Sequence, residues 1–384
     1  MTTTTRHTRR TTLLSLAGAA ALITAAVAPT AAAGAATPSY RVVASGLDNP
    51  RQLSFSDRGD LFVAEAGEGG AGPCFAGPEG EACFGRTGAI TRVTMKGRDA
   101  GAQTRVLDGL PSVAAPGTGG SAAGPTDVHV SGSKKVVFTV GLGADPAIRT
   151  RIPELAQMGT LRSAQVGRPG SQLIADISAH EARENPMHPD QAPDTNPGGF
   201  VRTGGSYLVT DAGGNTLVEA SRKGRTETRA GFQDQLATAP PFLGLPPGTK
   251  IPAQSVPTSV VTGPDGAQYV SELTGFPFEP GLANIYRVDR DGEVSVYASG
   301  LTNVTDLAFG ERGVLYAVQL SDAGLLNGPI GSVVAIPAGG GATHTVVADG
   351  LFAPYGIAVK GRAAFVTTGS VAADAGQVIA IGLG

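Results

Sequence analysis

The stretch YASGLTNVTDLAFGERGVLYAVQ, residues 297–319, decides the fold. It joins a small-residue turn (YASGL), an anchor that ends in an apolar residue (NVTDL) and a β-rich run (VLYAVQ). The turn recurs as VASGL (43–47), VLDGL (106–110) and VADGL (347–351), and similar anchors occur at six places. The six anchors are NPRQL (49–53), GPTDV (124–128), NPGGF (196–200), VPTSV (256–260), NVTDL (303–307) and APYGI (353–357). The chain is therefore a sixfold internal repeat.

Each repeat reads as a set of antiparallel strands. Short β-branched and aromatic runs alternate with Gly, Asp and Pro turns, and no long segment has helical periodicity. Six copies of a four-stranded unit predict an all-β, six-bladed β-propeller; a β-sandwich would not require six copies of one anchor. Because the last repeat ends at its third strand, we expect Tyr40–Ala44 to supply the fourth and close the ring.

Residues 1–36 are predicted to be a secretory signal peptide. A basic start, MTTTTRHTRR, precedes an apolar run and a small-residue segment where cleavage is expected. The run of about 16 residues is shorter than the ~20 of a membrane-spanning helix, so no span is expected after cleavage. The Arg9-Arg10 pair leaves both the Sec and the twin-arginine route open. Residues 37–384 are then expected to form one secreted propeller domain.

Composition narrows the class of partner. The formal net charge is −3 and only 16% of residues are charged, so neither nucleic acid nor an anionic membrane surface is an expected partner. The expected partner is therefore a small molecule or a protein. A protein-binding scaffold is the weaker choice, because aromatic residues make up 5% of the chain and Trp is absent, whereas binding hot spots favour Trp and Tyr.

The predicted loops divide unequally between the two faces of the propeller. Turns that join the first to the second strand and the third to the fourth are short, whereas the other connections carry all the long insertions. We call the side with the insertions the elaborated face, and we expect function there. Cys74 and Cys83 lie in its first insertion. Two cysteines cannot complete a four-ligand zinc site and are not spaced as a C-x-x-C redox motif, so in an exported chain they predict a disulfide.

Acidic residues recur where strands meet the elaborated face. Glu65, Asp211 and Glu272 end second strands, while Asp127 and Asp306 begin first strands. With Asn215 they supply the oxygen ligands that suit a hard divalent cation, Ca²⁺ first among them, or a polar ligand at the channel mouth. The alternative is that these side chains cap backbone N–H groups and brace neighbouring blades.

Nucleophilic catalysis has no motif in this sequence. Neither a Gly-x-Ser-x-Gly elbow nor a His-Glu-x-x-His pair occurs. His180 and His188 lie in one insertion, where SAHEAREN predicts a short helix with a capping box of Ser178 and Glu181. His129 is expected to be structural.

Several strings together resemble the ScyD/ScyE family of exported bacterial proteins. They are GPCFAGPEGEACFG, NPGG, DAGGN, VPTSV, SELTGFPFEPG and LTNVTDLAFG, and the resemblance runs from Tyr40 to the C-terminus. It implies a six-bladed NHL- or TolB-like propeller, but no particular reaction. The chain also resembles gluconolactonase-like hydrolases and quinoprotein sugar dehydrogenases, without the metal-ligand pattern of the first or the catalytic His context of the second.

Three hypotheses about function follow. The leading one is an extracytoplasmic propeller that binds a ligand at its acidic mouth, with or without a divalent cation. The second is a metal-dependent hydrolase of lactone or sugar-like substrates, which would need a metal with an open coordination position. The third is a protein-interaction scaffold.

Overall fold

The structure of this protein is a computed structural model. It describes residues 40–77, 80–132 and 134–384, so the predicted signal peptide lies outside the described residues. Within those ranges, no helix has both the length and the apolar character needed to cross a membrane.

The described chain is mostly β-structure. Strands in its first half are β1 Tyr40–Leu47, β2 Pro50–Phe55, β3 Leu61–Glu65, β4 Cys74–Gly77, β5 Gly80–Val93, β6 Gln103–Ala114, β7 Pro125–Ser131, β8 Lys135–Val140, β9 Thr160–Gln165, β10 Gln172–Asp176, β11 Pro197–Thr203, β12 Ser206–Asp211, β13 Thr216–Ser221 and β14 Thr226–Gly231. Strands in its second half are β15 Gln235–Thr238, β16 Lys250–Ala253, β17 Pro257–Thr262, β18 Gln268–Glu272, β19 Ala283–Val288, β20 Val294–Leu301, β21 Val304–Phe309, β22 Leu315–Gln319, β23 Ile330–Ile336, β24 Thr345–Phe352, β25 Ile357–Lys360, β26 Ala363–Thr368 and β27 Gly376–Gly382.

Helices are few and short. The α-helices are α1 Ile148–Arg151 and α2 Ile177–Glu184. Single 3₁₀ turns occupy Pro153–Gln157, Pro241–Leu243, Glu311–Gly313 and Leu325–Asn327.

The strands form antiparallel sheets that match the sequence repeats. Sheet 1 contains β2 to β6, sheet 2 β7 to β10, sheet 3 β11 to β14, sheet 4 β17 to β20 and sheet 5 β21 to β24. In sheet 6, β25, β26 and β27 are completed by β1, with Tyr40 opposite Ile381. The predicted pairing of Tyr40–Ala44 with the C-terminal repeat is confirmed. β15 and β16 make a separate hairpin.

Neighbouring sheets pack through their first strands. β2 contacts β7, and contacts continue in turn through β11, β17, β21 and β25, which also contacts β2. A buried apolar cluster lies between each sheet and the next; between sheets 6 and 1 it includes Leu53, Val63, Phe365 and Val378. Full burial of such a side chain stabilises the fold by about 1.5–3 kcal/mol, so the face-to-face packing of sheets is the main source of stability.

The first insertion of the elaborated face is itself ordered as a hairpin. β4 pairs with β5, and Cys74 stands directly opposite Cys83. These two cysteines form a disulfide, as the sequence predicts. Sheet 1 thus extends beyond four strands into the loop region.

The predicted helix in the 178–196 insertion is present as α2, but its predicted cap is wrong. Asp176, and not Ser178, is the N-cap residue: its carboxylate accepts a hydrogen bond from the Ala179 N–H at 2.9 Å. A carboxylate is as good a cap as a hydroxyl, so the helix starts one residue before Ser178. Glu181 is thereby freed from the capping box and turns into the protein interior.

Candidate functional site

The candidate ligand residues are all buried. Glu65, Asp211 and Glu272 are the last residues of β3, β12 and β18, while Asp127 and Asp306 lie within the first strands β7 and β21. The structure divides them into an inner pair and three outer acids with different surroundings.

The inner pair braces neighbouring sheets. Asp127 accepts hydrogen bonds from the N–H groups of Val128 at 2.7 Å and Phe200 at 2.9 Å, the latter in sheet 3. Asp306 likewise accepts from Ile357 in sheet 6 at 2.8 Å. Each carboxylate therefore ties its own strand to the next sheet and braces the two sheets.

Further polar side chains converge on Asp306. Ser259 donates its hydroxyl to Asp306 at 2.6 Å, and Gln52 from sheet 1 donates to the carbonyl oxygens of Thr258 and Thr305. Burial raises the pKa of Asp306 to about 7. Gln52 and Ser259 occupy the position in their own anchors that Asp306 occupies in its anchor.

His129 is the accessible member of this inner group. Its Nε2 lies 3.5 Å from an Asp127 carboxylate oxygen, and its side chain is 49% exposed. Partial desolvation by the surrounding strands favours the neutral ring, but the Asp127 carboxylate outweighs it and raises the pKa of His129 above its ordinary value. Sequence reasoning treated His129 as structural and gave no signal of this pairing.

Glu65 is neutralised by a residue that sequence reasoning missed. Arg105 on β6 contacts one Glu65 oxygen at 3.0 Å and Asp48 at 2.6 Å. Thr91 donates its hydroxyl to Glu65, and the Asp48 N–H donates to it at 2.8 Å. Hydrogen bonding to Glu65 holds the pKa of Arg105 above its usual value. No motif marked Arg105, because the pairing joins the second and fourth strands of one sheet.

Glu272 is satisfied by neutral donors instead. Its carboxylate accepts from Ser255 and Gln235 at 2.7 Å, from the Asn284 N–H at 2.8 Å and from the Tyr286 hydroxyl at 2.9 Å. Burial nevertheless raises the pKa of Glu272. With its lone pairs already occupied, this geometry favours a structural role.

Both carboxylate oxygens of Asp211 accept hydrogen bonds, and one of them also accepts from the Gly214 N–H at 3.4 Å. Thr195 donates its hydroxyl to one oxygen at 2.7 Å, and the Asn196 N–H donates to the other at 2.6 Å. Burial raises the pKa of Asp211 to about 6. Asn215 uses its side-chain oxygen to accept from the Val256 N–H at 2.7 Å, so the oxygen proposed as a ligand is already engaged.

A charged cleft lies above Glu65 on the elaborated face. Its volume is about 430 Å³, and its charged lining residues are Asp48, Glu68, Arg86, Arg105 and Asp108. Beside it, carboxylate oxygens of Asp48, Glu68 and Asp374 all lie within 4.8 Å of one another. The predicted set of acids did not include these three residues.

Similarity between this chain and known proteins is found among solved structures. No protein-family model matches the chain, and no curated protein matches it. A structural-genomics protein of unknown function from Bacteroides thetaiotaomicron superposes with a TM-score of 0.50 at 10% identity, over 90% of this chain and 72% of that one.

Two further solved structures have named activities. Virginiamycin B lyase from Staphylococcus aureus has a TM-score of 0.45 at 13% identity, covering 89% of this chain and 98% of its own. A gluconolactonase from Xanthomonas campestris has a TM-score of 0.39 at 13% identity, covering 70% and 68%. These neighbours are NHL/SMP-30-like β-propeller proteins. At such identities the likeness concerns the fold alone.

Proposed function

We propose that the six sheets are the blades of one closed six-bladed propeller, residues 37–384, of the exported ScyD/ScyE type. The pairing of β1 with β27, the cyclic order of contacts and the apolar cluster between sheets 6 and 1 support closure. The Cys74–Cys83 disulfide supports an oxidising, extracytoplasmic location after removal of residues 1–36.

The proposed activity is binding of a small polar ligand in the charged cleft. The observation that carries it is Arg105, whose guanidinium reaches the cleft while Glu65 and Asp48 hold it from below. A guanidinium held by two carboxylates has lost its conformational freedom before a ligand arrives, which lowers the entropic cost of binding.

The residues that line the cleft suit a molecule with both hydrogen-bond donors and hydrogen-bond acceptors. Arg86 and Arg105 offer donors to a carboxylate, hydroxyl or carbonyl oxygen, while Asp48, Glu68 and Asp108 accept from hydroxyl or ammonium groups. A cleft of about 430 Å³ is within the usual range for small-molecule sites. Sugars, sugar acids and amino acids are the classes that fit this chemistry.

A thermal-unfolding screen against these classes tests the proposal. A ligand that binds only the folded protein raises its Tm by mass action. We expect the shift to be lost in Arg86→Ala and Glu68→Gln, which alter the cleft wall, and to persist in Arg312→Ala at the turn between β21 and β22. A shift that survives both cleft variants would place the ligand elsewhere.

A second candidate is the metal-dependent hydrolase, which the juxtaposition of Asp48, Glu68 and Asp374 favours. A cation held there would act on substrates in the adjoining cleft, polarising a carbonyl or activating water. We would measure lactone hydrolysis after chelation and after readdition of Ca²⁺, Mn²⁺ or Zn²⁺. Activity that depends on the cation and disappears in Glu68→Gln and Asp374→Asn would support it; activity without cation dependence would exclude this mechanism.

A further inference from the structure

Glu181 on α2 is a buried carboxylate without any partner. Its side chain is fully buried, and neither of its oxygens accepts a hydrogen bond within the described residues. An isolated buried carboxylate is among the costliest groups a fold can contain, and buried charges are ordinarily paired or bound to metal. The surroundings of Glu181 should therefore show how its charge is compensated.

Two other carboxyl groups, those of Asp211 and Asp194, act on Glu181 electrostatically. Glu181 Oε2 lies 2.4 Å, and Asp211 Oδ2 3.4 Å, from the point where a Cβ on Gly214 would stand, so both oxygens face the same short piece of backbone. Asp194 also interacts electrostatically with both, and its buried Oδ1 has no hydrogen-bond partner. Burial first, and then Asp211 and Asp194, raise the pKa of Glu181 to about 7.

The nearby basic groups serve other acceptors. Arg149 pairs with Asp176, and Arg183 donates to the Ala179 carbonyl oxygen and to Thr226. The Nε2 of His180 contacts Thr228. Among the ion pairs of the described residues, none includes Glu181, Asp194 or Asp211. The three carboxyl groups thus interact electrostatically, and no cation of the described residues pairs with any of them.

We propose that Glu181, Asp194 and Asp211 bind a divalent cation beside sheet 3, with Ca²⁺ as the best match. Glu181 has two oxygens without a hydrogen-bond partner and Asp194 has one, and Asp211 Oδ2 faces the same backbone at Gly214 as Glu181 Oε2 does. Ca²⁺ takes six to eight oxygen ligands in flexible geometry and tolerates carboxylates from separate loops, whereas Mg²⁺ requires a tighter octahedron. This site is separate from the charged cleft, which belongs to sheet 1.

Gly214 is part of the same arrangement. A methyl group at this position would meet Glu181 Oε2 at 2.4 Å, closer than atoms can approach, so the carboxylate would have to move. The glycine therefore lets the loop after β12 approach α2. Gly205, in the turn of the same sheet, has open space around the corresponding point and provides a matched control.

The test is calcium binding by the full chain after chelation, followed by isothermal titration calorimetry and thermal unfolding. We expect Ca²⁺ to bind the wild type and raise its Tm, and Glu181→Gln to weaken binding at least tenfold. Glu184→Gln, exposed on the same helix, should bind like the wild type. Gly214→Ala, which removes no charge, should also weaken binding, whereas Gly205→Ala should not.

Two results would overturn the proposal. One is a wild type that binds no divalent cation, since the three carboxyl groups are then compensated by protons. The other is calcium binding that survives Glu181→Gln but is lost in Asp374→Asn, since the ion then belongs to the mouth acids of sheet 1. Neither result bears on ligand binding in the charged cleft, which Arg86→Ala tests separately.

Discussion

Sheets 1 and 3 place an acid at the same structural position and compensate it in opposite ways. Glu65 ends β3 and Asp211 ends β12, each as the last residue of a second strand. Glu65 is covered by Arg105 from the fourth strand of its own sheet. Asp211 is joined instead by two more acids, Glu181 and Asp194.

The difference shows that a repeated residue does not imply a repeated role. In sheet 1 the buried acid is paired with a cation of the protein, so the acid stabilises the fold and holds Arg105 beside the cleft. In sheet 3 the charge is unbalanced, which destabilises the folded state unless a proton or a cation is bound. Ligand binding is therefore expected above the first acid and directly at the second.

Breaking the compensated pair should have the largest effect. Arg105→Ala leaves buried Glu65 without its counter-ion and should lower the free energy of unfolding by about 3 kcal/mol, the low end for a buried pair, because the Arg105 side chain is 44% exposed. The measurement is urea unfolding at neutral pH. Arg287→Ala is the control: Arg287 pairs with Asp265 on the surface, where solvent screens the charges, so its removal should cost much less than the removal of Arg105. Equal losses from the two variants would contradict the contrast between the sheets.

The uncompensated acids of sheet 3 should make the protein less stable as the pH rises. Because the pKa of Glu181 is about 7 in the folded protein, above its ordinary value of 4.5, the folded state retains a proton that the unfolded state releases. Stability of the chelated protein should therefore fall from pH 5 to pH 8, by up to about 3 kcal/mol from this group.

Glu181→Gln tests this assignment directly. The variant should flatten the pH dependence and be more stable than the chelated wild type at pH 8, as measured by urea unfolding at several pH values. Glu184→Gln should leave the profile unchanged, because its carboxyl group is exposed. An unaltered profile in Glu181→Gln would mean that other groups, such as Asp306, dominate the titration.

Removal of the disulfide should have a smaller effect, confined to sheet 1. Cys74 and Cys83 close a loop of about ten residues, for which chain entropy predicts a loss of about 2.5–3 kcal/mol in the Cys74→Ser/Cys83→Ser double variant. Calcium binding at sheet 3 should remain. Loss of calcium binding in this double variant would show that the two regions are coupled.

Exposed residues of the cleft wall should affect stability least. Arg86→Ala and Glu68→Gln are expected to change the free energy of unfolding by less than about 1 kcal/mol, because neither side chain makes an ion pair in the described structure and Arg86 loses only an exposed contact with the Phe84 ring. Thermal unfolding without ligand measures this. A large loss in either variant would make it unsuitable for the ligand screen.

The repeat made the β-architecture predictable, while the site was predictable only in part. Strand periodicity predicts the anchors and the pairing of Tyr40 with the last repeat, and the number and spacing of the cysteines predict the disulfide. These are properties of neighbouring residues. Gln52, Ser259 and Asp306 occupy one position of the repeat, so their convergence could also be anticipated. Glu181 could not, because a capping-box pattern at Ser178 offered it a plausible local role.

The sequence by itself determined that the chain forms repeated four-stranded units with long loops on one side, because the types of neighbouring residues decide where strands and turns form. Only the tertiary structure decided which acids are compensated. Arg105 meets Glu65 across 40 positions, and Asp211 meets a helix that begins 34 residues before it. Whether a buried charge has a partner depends on such distant encounters, since electrostatic compensation acts through space and not along the chain.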